Sequence, residues 1–134
     1  MEQIIKILIV ENDKDFAWLL QNELEPHERL TVVGVCGSRE EAVKTACRLQ
    51  PDIVLMDVRM PGMDGITATE HITRMATEGR PIRVIILTTF DLDEYVMAAI
   101  HAGASGFLLK DTEPETLLRS IRTVYQGNAI IAPT

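Results

Sequence analysis

Ile53-Val54-Leu55-Met56-Asp57, preceded by Pro51-Asp52, is an apolar run closed by a carboxylate. So short a run, with proline just ahead of it, suits a strand covered on both faces, as in a parallel sheet. Working back, Ser38 and Glu41 predict a capping box ahead of a helix carrying Ala42, Val43, Ala46, Cys47 and Leu49. Before that helix, residues 30–36 are β-branched and apolar, a second strand. Residues 4–10 are apolar but for Lys6 and end at Glu11, the first strand. From Asp13 or Lys14 the spacing changes to Phe16, Leu19, Leu20, Glu23 and Leu24, a helix with one buried stripe that Pro26 stops. Working forward, Met60-Pro61-Gly62-Met63-Asp64-Gly65 is a loop before a helix bearing Ile66, Thr69, Ile72 and Met75, closed by Gly79 and Pro81. Residues 83–87 form a fourth strand ending at Thr88-Thr89, and Tyr95, Val96, Ala99 and Ile100 give a fourth helix its apolar side. Gly103 and Gly106 bracket a turn into the fifth strand, Phe107-Leu108-Leu109, which ends at Lys110. Thr112 and Glu115 predict a second capping box, for a last helix with Leu117, Leu118, Ile121, Val124 and Tyr125 inward and Gly127 at its end. Strands alternating with helices at this spacing make right-handed βαβ units, hence an α/β doubly wound parallel sheet.

The length of 134 residues fits one domain, and 46% apolar with 25% charged residues favours a folded chain. A net charge of −7 argues against nucleic-acid binding by this segment, which needs clustered Lys and Arg. No run is long enough to span a membrane, and Met1-Glu2-Gln3 lacks a secretory pattern, so a cytoplasmic location is expected. Cys36 and Cys47 have no His or Cys at metal spacing and are expected to be free, buried thiols.

In open parallel sheets the site lies beyond the carboxyl ends of the strands. Those ends carry Glu11-Asn12, Asp57, Thr88 and Lys110. Any one of them alone is better read as a loop residue or a cap. Their convergence points to chemistry: grouped carboxylates need a cation, and hard oxygen ligands suit Mg²⁺, which takes phosphate as a further ligand. An Asp carboxylate can attack phosphorus while the metal, the lysine and the threonine hydroxyl stabilise the transferred oxygens.

Over essentially its whole length the sequence resembles the receiver domain of two-component response regulators. The resemblance is carried by Ile7-Leu8-Ile9-Val10-Glu11-Asn12, by residues 51–57 with residues 60–65, by Leu87-Thr88, and by Gly103-Ala104-Ser105-Gly106-Phe107-Leu108-Leu109-Lys110. It implies a flavodoxin-like (βα)5 fold with strand order 2-1-3-4-5, Asp57 as phosphoacceptor, and Glu11 and Asn12 at the acidic-pair positions. It also implies the Arg59 carbonyl as a further magnesium ligand and Thr88 and Phe107 as a switch pair that remodels the face of helix four, strand five and helix five. Lys110-Asp111 is similar to the NarL/FixJ subgroup fused to a LuxR-type helix-turn-helix. Residues 1–127 would then be the receiver and 128–134 the start of an interdomain linker, with the DNA-binding domain absent from this chain. The implied partners are a sensor histidine kinase and a second copy of the chain in a phosphorylation-dependent homodimer, with DNA reached only through the missing domain.

Asn12 departs from the family's Asp and removes one negative charge, which lowers the expected Mg²⁺ affinity, and an outer-shell role is expected for Asp13. Arg59 and Phe90 lie two residues after Asp57 and Thr88, at positions that flank the phosphoryl group in this fold, and either hinder attacking water there or are merely exposed. Trp18 is out of phase with the buried stripe, which leaves it either an exposed contact residue or partly buried under a neighbouring loop. The competing reading is a phosphorylation-independent interaction module. Against an aspartyl phosphohydrolase, Asp57-Val58-Arg59 has no second carboxylate two residues on to serve as general acid; against a flavodoxin-like cofactor binder, no loop after strand one is rich in Gly, Ser or Thr to cradle a phosphate.

Overall fold

A computed structural model describes residues 4–57, 65–75, 81–89 and 94–127 of the chain. Within them β1 (Ile5–Val10), β2 (Leu30–Cys36), β3 (Ile53–Asp57), β4 (Arg83–Thr88) and β5 (Gly106–Leu109) alternate with five helices. These are α1 (Lys14–Leu24), α2 (Arg39–Leu49), α3 (Gly65–Thr73), α4 (Glu94–His101) and α5 (Pro114–Tyr125). The strands pair in parallel in the order β2-β1-β3-β4-β5, the arrangement the resemblance implies. Strand order reverses between β1 and β3, so the polar ends of these strands sit at the switch point of the sheet.

Every residue of β3 is buried, as its unbroken apolar run requires of a central strand. Alternation along the strands sorts the core into two layers. Leu8, Val10, Val54, Met56, Val84, Ile86 and Phe107 pack with residues of α2, α3 and α4. Ile7, Ile9, Ile53, Leu55, Ile85, Leu87 and Leu108 pack with α1 and α5. At the amino edge Asp52 ties three strands together: its Oδ2 accepts from the Lys6 N–H at 2.9 Å, its own N–H donates to the Lys6 carbonyl at 2.9 Å, and its carbonyl accepts from the Arg83 N–H at 3.1 Å.

Local chemistry explains most helix starts. Asp13 caps α1, its Oδ1 accepting from the N–H of Asp15 and Phe16 at 3.0 and 3.3 Å. Ser38 caps α2 as expected, but the returning Glu41 carboxylate takes the Gly37 N–H rather than that of Ser38. The box expected of Thr112 and Glu115 does not form. Glu113 is the N-cap of α5, without a side-chain bond, and the Thr112 hydroxyl donates backward to the Leu109 carbonyl at 2.6 Å. Pro114 starts the helix with a fixed φ, at the first helical position, where an N–H would have no partner within the helix. Gly103, at φ +120, turns the chain after α4, and a Cβ there would meet Thr73 Oγ1 at 3.0 Å.

Three expectations are corrected. Leu19 is exposed, because α1 contacts the sheet through Ala17, Leu20 and Leu24, leaving Leu19 outside that arc. Cys47 is exposed on the outer side of α2, whereas Cys36 is buried as expected. The first strand begins at Ile5, and Ile4 is exposed. Trp18 is exposed rather than partly buried. The side chains of Tyr95 and Val96, and all of Gly79, lie outside the described residues.

Candidate functional site

Parallel strands end on a common edge, so strand-terminal residues far apart in sequence become neighbours there. Glu11 directly follows β1, Asp57 ends β3 and Lys110 directly follows β5. Each continues the row of side chains facing α1 and α5: Ile9 to Glu11, Leu55 to Asp57, Leu108 to Lys110. Lys110 Nζ lies 2.7 Å from Glu11 Oε1 and donates a hydrogen bond to Asp57 Oδ2 at 3.1 Å. One ammonium is thus shared by two buried carboxylates, with the shorter contact to Glu11 Oε1. Glu11 Oε2 accepts from the Asp13 N–H at 3.0 Å, which fixes the carboxylate against the start of α1.

The electrostatics follow from burial. Removal from water pushes the Glu11 carboxyl above its ordinary value against the pull of the Lys110 ammonium and the Asp13 N–H, and the Asp57 charge adds to the rise. Burial alone would lower the Lys110 pKa, but contact with Glu11 and the charge of Asp57 outweigh it and raise the pKa, keeping the ammonium charged. The ammonium also stands 4.9 Å from the centre of the Phe16 ring, within cation–π range.

Thr88 and Phe107 stand on the opposite layer. Register pairs Ile86 with Phe107 and Thr88 with Leu109, so by alternation Thr88 and Phe107 face the α2–α4 side together. Both are buried. The Thr88 carbonyl accepts from the Lys110 N–H at 2.8 Å, joining this pair to the charged group through the backbone.

The structure therefore brings Glu11, Asp57, Lys110 and Thr88 to one edge. Asn12 is exposed in the bend after β1, and Asp13 spends its Oδ1 on the cap of α1. Arg59 and Phe90 lie outside the described residues. Among the described residues no group of three or more His, Cys, Asp or Glu side chains is placed to hold a metal, so the carboxylates gathered here are Glu11 and Asp57. Sequence reasoning missed the contact of Phe16 with Lys110. Its helical spacing announced only a core residue, and nothing in the spacing announced a cation above the ring.

A profile of the response regulator receiver domain matches residues 7–122. The transcriptional regulatory protein LnrK of Bacillus subtilis is 35% identical over 97% of this chain and 58% of its own length. This chain thus spans somewhat over half the length of that curated relative. The signal receiver domain assigned to response regulator NarL of Mycobacterium tuberculosis has a TM-score of 0.85 at 25% identity, covering 94% of this chain and 99% of that one. A two-component response regulator of the LuxR family from Aurantimonas sp. gives a TM-score of 0.84 at 27% identity, over 98% of this chain and 90% of its own.

Proposed function

Since the chain belongs to the response regulator receiver domain family, signalling proteins rather than enzymes, we propose that it is a phosphoryl switch whose acceptor is Asp57. The observation that carries this reading is the single ammonium of Lys110 bridging Glu11 and Asp57 across strand ends that are distant in sequence. A sensor histidine kinase is the proposed donor. A carboxylate oxygen of Asp57 forms the new O–P bond, the P–N bond of a phosphohistidine breaks, and its electron pair returns to the imidazole. Lys110 meets the charge developing on the phosphoryl oxygens, and the Thr88 hydroxyl donates to them from the other layer.

Glu11, Asn12 and Asp57, with the Arg59 carbonyl, are the residues that would hold Mg²⁺. The donor set fits a hydrated ion: hard oxygens, on two buried carboxylates drawn together at one strand edge. When bound, the ion would neutralise phosphoryl oxygens. Residues 1–127 are proposed as the receiver and 128–134 as the start of a linker to a LuxR-type DNA-binding domain, in a cytoplasmic transcription factor that dimerises on phosphorylation. Among the described residues no helix is long and apolar enough to cross a membrane.

A neutral Asn12 and an Asp13 committed to a cap also favour a second reading, an interaction module that works without phosphate. Incubation with Mg²⁺ and a small acyl phosphate, followed by mass spectrometry, separates the two. The wild-type protein is expected to gain one phosphoryl group, Asp57→Ala none, and Asn12→Asp to label faster. A wild-type chain that stays unmodified where Asn12→Asp is labelled overturns the acceptor reading and favours the module.

A further inference from the structure

A closed circuit of contacts surrounds the charged group. The Asp13 N–H donates to Glu11 Oε2 at 3.0 Å, and Asp13 Oδ1 accepts from the Phe16 N–H at 3.3 Å. The Phe16 ring then lies 4.9 Å under the Lys110 ammonium, which returns to Glu11 Oε1 at 2.7 Å. Phe16 is half-buried and, with Leu20, Leu109, Lys110, Thr112 and Leu117, borders a small recess between α1, β5 and α5. We propose that Phe16 is a positioning residue for phosphoryl transfer, its ring face holding the Lys110 ammonium in place over Asp57.

The physical need for such a group arises from the reaction itself. In the resting state two carboxylates hold the ammonium, which has only a flexible stem of its own to orient it. As Asp57 bonds to phosphorus its oxygen loses charge and one of these anchors weakens. The aromatic quadrupole does not change during the reaction, so Phe16 and Glu11 keep the ammonium aimed at the place where phosphoryl charge develops. The ring is fixed in turn by the cap of α1, whose N–H bonds run back to the same Glu11. An aliphatic side chain at this position packs against the same neighbours but offers no negative face.

This inference rests on the phosphoryl-acceptor reading, and its test keeps the two apart. Wild type, Phe16→Leu and Phe16→Tyr are compared in the full chain by phosphorylation rate with a small acyl phosphate, at saturating and at limiting Mg²⁺. Phe16→Leu is expected to lower the rate at saturating Mg²⁺ by about two- to five-fold, with the Mg²⁺ midpoint unchanged, and Phe16→Tyr to restore it. Proton NMR of the Lys110 ε-methylene reads the contact without any phosphate: ring-current shielding is expected in wild type and Phe16→Tyr and is lost in Phe16→Leu. Absence of that shielding in wild type overturns the inference whatever the phosphorylation result. So does a Phe16→Leu rate equal to wild type, or a Phe16→Tyr rate as low as that of Phe16→Leu. If the shielding is present but wild type accepts no phosphate, the acceptor reading falls, and the positioning role in transfer falls with it.

Discussion

Gln50 closes α2 in the left-handed region, at φ 48 and ψ 61, where a Cβ crowds the following carbonyl. Its N–H caps the Ala46 carbonyl at 2.8 Å, and its side-chain amide donates to the Cys47 carbonyl at 3.1 Å. Gln50→Gly keeps the backbone bond and relieves the crowding. Part of that gain is offset by loss of the side-chain bond to Cys47 and by the greater freedom glycine gives the unfolded chain, leaving an expected increase of roughly 0.5 kcal/mol. A higher urea midpoint with an unchanged slope would register it; a lower midpoint would contradict it. The cysteines differ at the same scale. Burial pushes the Cys36 thiol up from its ordinary value of 9.0, with Thr45 and Arg48 opposing the rise and Glu41 adding to it. The folded state therefore holds this proton more tightly than the unfolded chain. The resulting stability is complete below pH 9.0 and is lost as pH rises through the elevated folded value. Iodoacetamide at mildly alkaline pH is expected to label Cys47 in the native protein and Cys36 only after unfolding, read by peptide mass. Equal labelling of both in the native state would show Cys36 to be accessible.

At the scale of the elements, Asp52 holds the amino edges of β1, β3 and β4 through one side-chain and two backbone bonds. Asp52→Ala leaves the Lys6 N–H without that acceptor and is expected to cost about 1–3 kcal/mol. Phosphoryl acceptance should persist, because Asp57 lies at the far end of β3. Urea denaturation beside acyl phosphate labelling checks both halves, and loss of labelling in a folded variant would contradict the second. Asp52 also marks what the sequence conceals. Beside Pro51 it announces a helix end, and its longer-range bond to Lys6 becomes visible only once β1 and β3 are paired. Strands such as β3 and β4 were legible because unbroken apolar runs have few other fates in a chain of this size. The charged group was legible for a related reason: parallel strands present their last residues on one edge, so Glu11, Asp57 and Lys110 converge once the strands are identified. Helix docking is another matter. The arc of α1 that meets the sheet is set by packing, which turned Leu19 outward and brought Phe16 under Lys110. The start of α5 likewise fell one residue beyond the expected cap: Glu113 holds the N-cap position ahead of Pro114, and the Thr112 hydroxyl is committed to the Leu109 carbonyl.

Across the whole molecule, the two layers divide the labour. The charged group belongs to the side of α1 and α5, and Thr88 with Phe107 to the side of α2, α3 and α4, so the sheet itself separates the two sets. With a net charge of −7 there is little in this chain to attract a polyanion. Geometry adds one more property. β5 is an edge strand of four residues whose partner in the sheet is β4, yet Lys110 at its end reaches past that neighbour to Asp57 on β3. The ion pair is thus a latch across the margin of the sheet, and the charge on Asp57 sets how firmly the margin is fastened. Amide hydrogen exchange can read that latch. In Asp57→Asn the Lys110 N–H, bonded to the Thr88 carbonyl, and the amides of β5 are expected to exchange faster, while those of β1 and β2 keep their protection. Equal acceleration at both margins would mean a general loss of stability and no latch.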